Sequence, residues 1–96
     1  MNDAKLLERA SLAKVILDNP VYVESWEAVR EAIVAGIEKT PLSDTQTAER
    51  LRVCLKLLKD VRLNLELMFN QGKIVSFKLE QERKRRENPN RNVFHP

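Results

Sequence analysis

Four adjacent cations, Arg83-Lys84-Arg85-Arg86, are the densest group of reactive or charged side chains in this 96-residue sequence. Neighbouring residues on a helix lie about 100° apart around the axis, so the four make a collar and not a stripe. Such a collar can meet phosphates, with strongly salt-dependent affinity. It can equally meet an acidic protein surface, or simply keep a helix end solvated. Glu80, Glu82 and Glu87 dilute the charge, and Phe94 is the one nearby ring that could stack on a base. That balance favours a protein partner, with nucleic acid as the alternative. The last residues, Asn90-Arg91-Asn92-Val93-Phe94-His95-Pro96, set two apolar side chains beside an arginine. They have the form of a short docking peptide, with Phe94 as anchor and Arg91 as a polar clamp. Folding back onto the chain's own helices is the other reading.

The remaining candidates for chemistry are sparse. Cys54 and His95 are the only soft metal ligands and fall in different elements, and no glutamate-x-x-histidine pair exists for a di-metal site. Cys54 lies on an apolar seam, which predicts a buried small hydrophobe. No glycine-flanked serine, phosphate loop or histidine beside a nucleophile occurs. Glu24, Glu27, Glu31 and Glu38 recur at three- and four-residue steps and related spacings, which reads as a solvated helix face. Tyr22 and Trp26 share the apolar face of the same helix and read as core or interface anchors. The expectation is a non-enzymatic protein without cofactor or metal.

The elements that carry these residues read as three helices. Asn2 or Asp3 caps the first, which runs to about Leu17 with Leu6, Ala10, Ala13 and Leu17 on one face. Asp18-Asn19-Pro20 ends it, because proline disfavours the α conformation in the residue before it. The same Asn19-Pro20 starts the second helix as N-cap and first helical residue. Tyr22, Trp26, Val29, Ile33 and Ile37 then form an apolar face as far as about Lys39. Gly36 within it either admits a close helix or is a weak spot. Ser43-Asp44-Thr45-Gln46 reads as a capping box, with Ser43 as the cap. The third helix carries a heptad seam: Leu51, Cys54, Leu58, Val61, Leu65, Met68, Gly72, Val75 and Leu79. Leu55, Leu57, Leu63, Leu67 and Phe69 widen it beyond a two-stranded zipper. Asn70-Gln71-Gly72 leaves helix and strand both open for residues 70–79, with helix favoured because the seam keeps its phase. Residues 1–79 form the expected helical core. Residues 80–96 form a charged helical extension and an extended tail.

The fold class is therefore all-α, a small bundle of two shorter helices and one long C-terminal helix with a basic end. The apolar surplus on that helix predicts a homo-oligomer, with Leu51, Leu58, Val61, Leu65 and Met68 as self-association residues. Residues 1–72 carry a net charge of −1 and residues 73–96 a net charge of +4, so the excess of positive charge lies at the C-terminal end. No run of eighteen apolar residues spans a membrane, no secretory signal opens the chain, and the single cysteine cannot form an internal disulfide. A cytoplasmic location is expected.

From Leu17 to Lys73 the chain resembles a group of short helical accessory proteins of tailed bacteriophages and prophages. The resemblance is carried by Leu17-Asp18-Asn19-Pro20, by Tyr22, Trp26, Val29 and Ile33, and by Pro41 and Asp44-Thr45. It continues through Arg50-Leu51, Leu55-Lys56-Leu57-Leu58, Val61, Leu65 and Gly72-Lys73. It covers about three fifths of the sequence and stops short of the basic segment. It implies an assembly or protein-interaction role, a virion protein as partner, residence in the host cytosol or the virion, and no catalytic residues. A nucleic-acid-binding protein for packaging or regulation is the second reading. A phage-encoded inhibitor of a host protein is the third.

Overall fold

The computed structural model of the chain describes residues 2–87 and places three α-helices there, with no strand among the described residues. Helix α1 spans Asp3–Asp18, α2 spans Pro20–Lys39 and α3 spans Thr45–Glu87. The Asn2 side chain caps α1 by accepting from the N–H of Lys5 at 2.9 Å. Asn19 leaves the helix with extended backbone (φ −71°, ψ 119°), as a residue before proline should. Its side chain at once accepts from the N–H groups of Val21 and Tyr22 at 2.9 and 3.2 Å. One residue thus ends α1 and caps α2. Thr40, before Pro41, repeats the break with φ −72° and ψ 126°. Its hydroxyl donates to the Gly36 carbonyl at 2.7 Å.

The cap of α3 is not Ser43 but Asp44, whose carboxylate accepts from the N–H of Thr47 at 3.1 Å. An aspartate one residue later is at least as good a cap as the serine, so the predicted box gives way to it. Hydrogen bonds from the Thr47 side chain and backbone hold the Asp44 carboxyl below its ordinary value. A depressed acid stabilises the fold above its unfolded pKa, and that stability is lost as pH falls through the folded value. Comparing thermal midpoints from pH 6 down to pH 2 should therefore show wild type losing stability relative to Asp44→Asn, which caps without titrating. Curves that stay parallel would show that ionisation of Asp44 does not contribute.

Both short helices run antiparallel to α3, and they occupy successive stretches of it. On α1, Ala10 packs against Gly72, and Asp3 pairs with Lys78 at 3.9 Å. On α2, the Trp26 indole donates to the Leu58 carbonyl at 3.2 Å, and Gly36 lies against Leu51. The result is a helical hairpin whose first arm is broken at Asn19. It measures 72 × 30 × 21 Å. Its radius of gyration is 21.7 Å, against about 12–13 Å for a compact chain of this length. The all-α class holds; the shape is an extended hairpin.

Its core is thin. Ala10, Ala13 and Val75 are the buried hydrophobic residues among those described. Residues 70–79 are helical, and Gly72 does not take the positive φ of a helix-ending cap. A Cβ on Gly72 would overlap the Cβ of Ala10, so the glycine is where the two arms come closest. The predicted seam divides accordingly. Leu51, Leu58, Leu65, Met68, Gly72 and Val75 turn toward α1 and α2, and Leu55 and Phe69 join them as half-buried neighbours. Cys54, expected in the core, is exposed. Two helices laid end to end cover α3 along one line only, and Cys54 falls on the margin of that line.

Candidate interaction surfaces

Two features stand out once the hairpin is in place: the far end of α3, and the apolar surface that the hairpin leaves uncovered. At the far end, Asp3 at the start of α1 reaches Lys78. The residues of α3 after about position 80 therefore project past the first residue of α1. Seven residues at about 1.5 Å each give an overhang of roughly 10 Å. Arg83, Lys84, Arg85 and Arg86 all lie on it and are all exposed.

They are not equivalent. Arg83 bridges Glu80 and Glu87 within its own helix: Nη2 and Nε donate to the Glu80 carboxylate, and Nη1 donates to Glu87 at 2.6 Å. Hydrogen bonds from Arg83 lower the pKa of Glu80, and hydrogen bonds to Glu80 and Glu87 raise that of Arg83. Its charge is largely answered locally. Lys84, Arg85 and Arg86 make no salt bridge among the described residues. They also complement the negative end of the helix dipole, a role that needs no partner. Arg91 and Phe94 lie outside the described residues.

The long edges of the hairpin differ in character. Around Trp26 and Phe69 one edge is charged. The Arg62 guanidinium lies 4.8 Å from the Trp26 ring centre and reaches Glu27 at 3.9 Å and Glu66 at 3.3 Å. Lys14 and Lys73 stand over the Phe69 ring at 5.6 and 4.6 Å. Helical spacing puts Leu12, Ile16, Val29, Leu57 and Val61 on the other edge, all of them exposed. Tyr22 is half-buried, and its hydroxyl is buried with no hydrogen-bond partner among the described residues.

Of the residues expected to mediate self-association, Leu51, Leu58, Leu65 and Met68 are half-buried and face the chain's own α1 and α2, while Val61 is 58% exposed. What sequence reasoning missed is a third apolar line, on the back of α3. Leu63, Leu67, Ile74 and Phe77 are between 49% and 69% exposed there. Their spacing of four, seven and three residues, with Asn70 between, was a readable signal hidden behind the stronger seam.

Among the described residues no group of three or more histidine, cysteine, aspartate or glutamate side chains comes together as a metal site. Among them, too, no helix is long and apolar enough to cross a membrane. No protein-family model, curated protein or solved structure matches the chain.

Proposed function

We propose that this protein is a non-enzymatic interaction module that grips a protein partner through the basic end of α3 and the segment that follows it. The resemblance to phage accessory proteins makes an assembly role beside virion proteins the specific form of this reading. In the assembled state the open hairpin becomes part of a helical bundle, because its own two layers leave fourteen large apolar side chains exposed among the described residues.

One observation carries the reading. The overhang of α3 presents Lys84, Arg85 and Arg86 beyond the packed arms, where they make no salt bridge among the described residues. Their side chains stay available without disturbing the fold. A net charge of +4 at residues 73–96 against −1 for the rest of the chain gives the surface a direction, so an acidic partner surface would be steered to that end.

The test is the salt dependence of the complex captured with the full chain, together with competition by a peptide of residues 83–96. A protein contact anchored by Phe94 should weaken gently as salt rises and be displaced by the peptide. Contact of the three cations with duplex nucleic acid would instead give a log–log slope near −3, and capture of nucleic acid with that slope would overturn the reading. Capture of a host enzyme whose activity falls on binding would replace assembly by inhibition.

A further inference from the structure

We propose that the back of α3 is a self-association face, on which a second copy of the chain seats its own α3 antiparallel. This pairing deepens the interaction-module reading by naming one of its partners.

Leu63, Leu67, Asn70, Ile74 and Phe77 follow one another in steps of four, three, four and three. That is a heptad line, and it lies on the side of α3 turned away from Gly72 and Val75, which α1 covers. The four apolar members are about half to two thirds exposed. Asn70 in the middle is the one polar residue of the line and lies on the exposed surface.

The charges along the line decide the occupant. One flank carries Lys59, Glu66, Lys73 and Glu80, each seven residues from the next and alternating in sign. All four are exposed. In an antiparallel pair, equivalent flanks of the two helices face each other. Setting Leu67 opposite Asn70 of the second copy, and Ile74 opposite its Leu63, brings Glu66 to its Lys73 and Lys59 to its Glu80. The two-fold axis then repeats both pairs. A shift of one heptad either way sets Lys73 against Lys73 and Glu66 against Glu80, or Glu66 against Glu66 and Lys59 against Lys73. Both shifts are repulsive. A parallel pair sets Lys73 against Lys78 and only Glu80 against a cation, Arg85. Of these arrangements only the first sets all four flank charges against opposite ones. A shift of two heptads matches just two of the four, Lys73 with Glu80 or Lys59 with Glu66. The fullest match is the one expected of a face that recognises its own copy.

Existing contacts do not lock these side chains. Glu66 accepts from Arg62 at 3.3 Å, Glu80 binds Arg83, and Lys73 stands over Phe69. Each is a local surface contact that an added ion pair can share. The pairing also has a functional consequence. With the axis between residues 68 and 69, the basic ends at Arg85 fall roughly 50 Å apart, at opposite poles of the dimer, at about 1.5 Å per residue. The dimer is then bivalent and can bridge two acidic sites on a repeating assembly.

Sedimentation equilibrium and spin-label distances on the full chain test this. The wild type should reach twice its 11.1 kDa mass at low-micromolar concentration. Leu67→Glu with Ile74→Glu should leave a helical monomer. Glu66→Lys or Lys73→Glu alone should weaken the dimer about tenfold, and the two together should restore it. These flank residues are exposed, so the reversals keep the fold. The exposed native Cys54 serves as the label site. The antiparallel register puts the two labels about 45 Å apart, whereas parallel helices bring them within about 20 Å. A wild type that stays monomeric to about 100 μM overturns the face. So does a double reversal weaker than either single one. A label distance below about 25 Å overturns the orientation.

Discussion

Replacing Trp26 by alanine should destabilise the hairpin by about 3 kcal/mol, the largest loss expected from any single truncation. Three contributions converge on this side chain. It is the largest residue between α2 and α3, and it is half-buried in a protein whose buried core is two alanines and a valine. Its indole N–H donates to the Leu58 carbonyl at 3.2 Å, the one hydrogen bond between the arms among the described residues. The Arg62 guanidinium lies 4.8 Å from its ring centre, a cation–π contact of about 0.5–1 kcal/mol at an exposed site. Urea unfolding followed by far-UV circular dichroism checks the value. A loss below about 0.5 kcal/mol would mean that α2 is held to α3 by something other than this residue.

The second large effect sets two glycines against each other. Glycine within a helix costs about 1 kcal/mol relative to alanine, so propensity alone says that Gly36→Ala and Gly72→Ala both stabilise. Packing says otherwise for one of them. At Gly72 the new methyl would overlap the Cβ of Ala10, which is fixed to the α1 backbone, so the arms must separate. Overpacking of this kind costs about 1–3 kcal/mol, and it outweighs the propensity gain. At Gly36 the nearest atom is Cδ1 of Leu51, at 3.2 Å on a flexible side chain that can turn aside. Gly72→Ala should lower the thermal midpoint, and Gly36→Ala should leave it unchanged or raise it. Pairing Gly72→Ala with Ala10→Gly should recover part of the loss, because it removes the atom the new methyl meets.

These positions also show how far the sequence could be read. The breaks at Asn19-Pro20 and Thr40-Pro41 were legible because proline acts on its neighbour whatever the rest of the chain does. The cap of α3 was legible to within one residue, since Ser43 and Asp44 both suit the position and only the geometry of the turn separates them. The purpose of Gly72 was not legible. A glycine that ends a helix and one that admits a neighbouring helix look alike in sequence, and Ala10, the residue that distinguishes them, is 62 positions away. Cys54 was misplaced for a related reason. A wide apolar helix has several candidate inner faces, and the choice depends on how much of its girth the partner helices cover. The basic collar was legible as a collar. That Arg83 is occupied by Glu80 and Glu87, leaving Lys84, Arg85 and Arg86 as candidate contacts, is a matter of side-chain geometry that spacing alone does not fix.

We propose that partner binding lives at the end of α3 and in the segment beyond it, separate from the packed hairpin. It is tested most directly by measuring, by isothermal titration or surface plasmon resonance, the affinity of the captured partner for three chains. These are the full chain, a chain ending at Glu82, and a full chain with Lys84, Arg85 and Arg86 all reversed to glutamate. The truncated chain keeps every contact between α3 and the two short helices named above, so its circular dichroism should retain the helical hairpin. Neither variant should bind measurably, and Phe94→Ala in the full chain should cost about 2 kcal/mol. Undiminished binding by the folded chain ending at Glu82 would contradict it and would move the partner to the acidic residues of α2 or to the exposed edge of Leu12, Ile16, Val29, Leu57 and Val61.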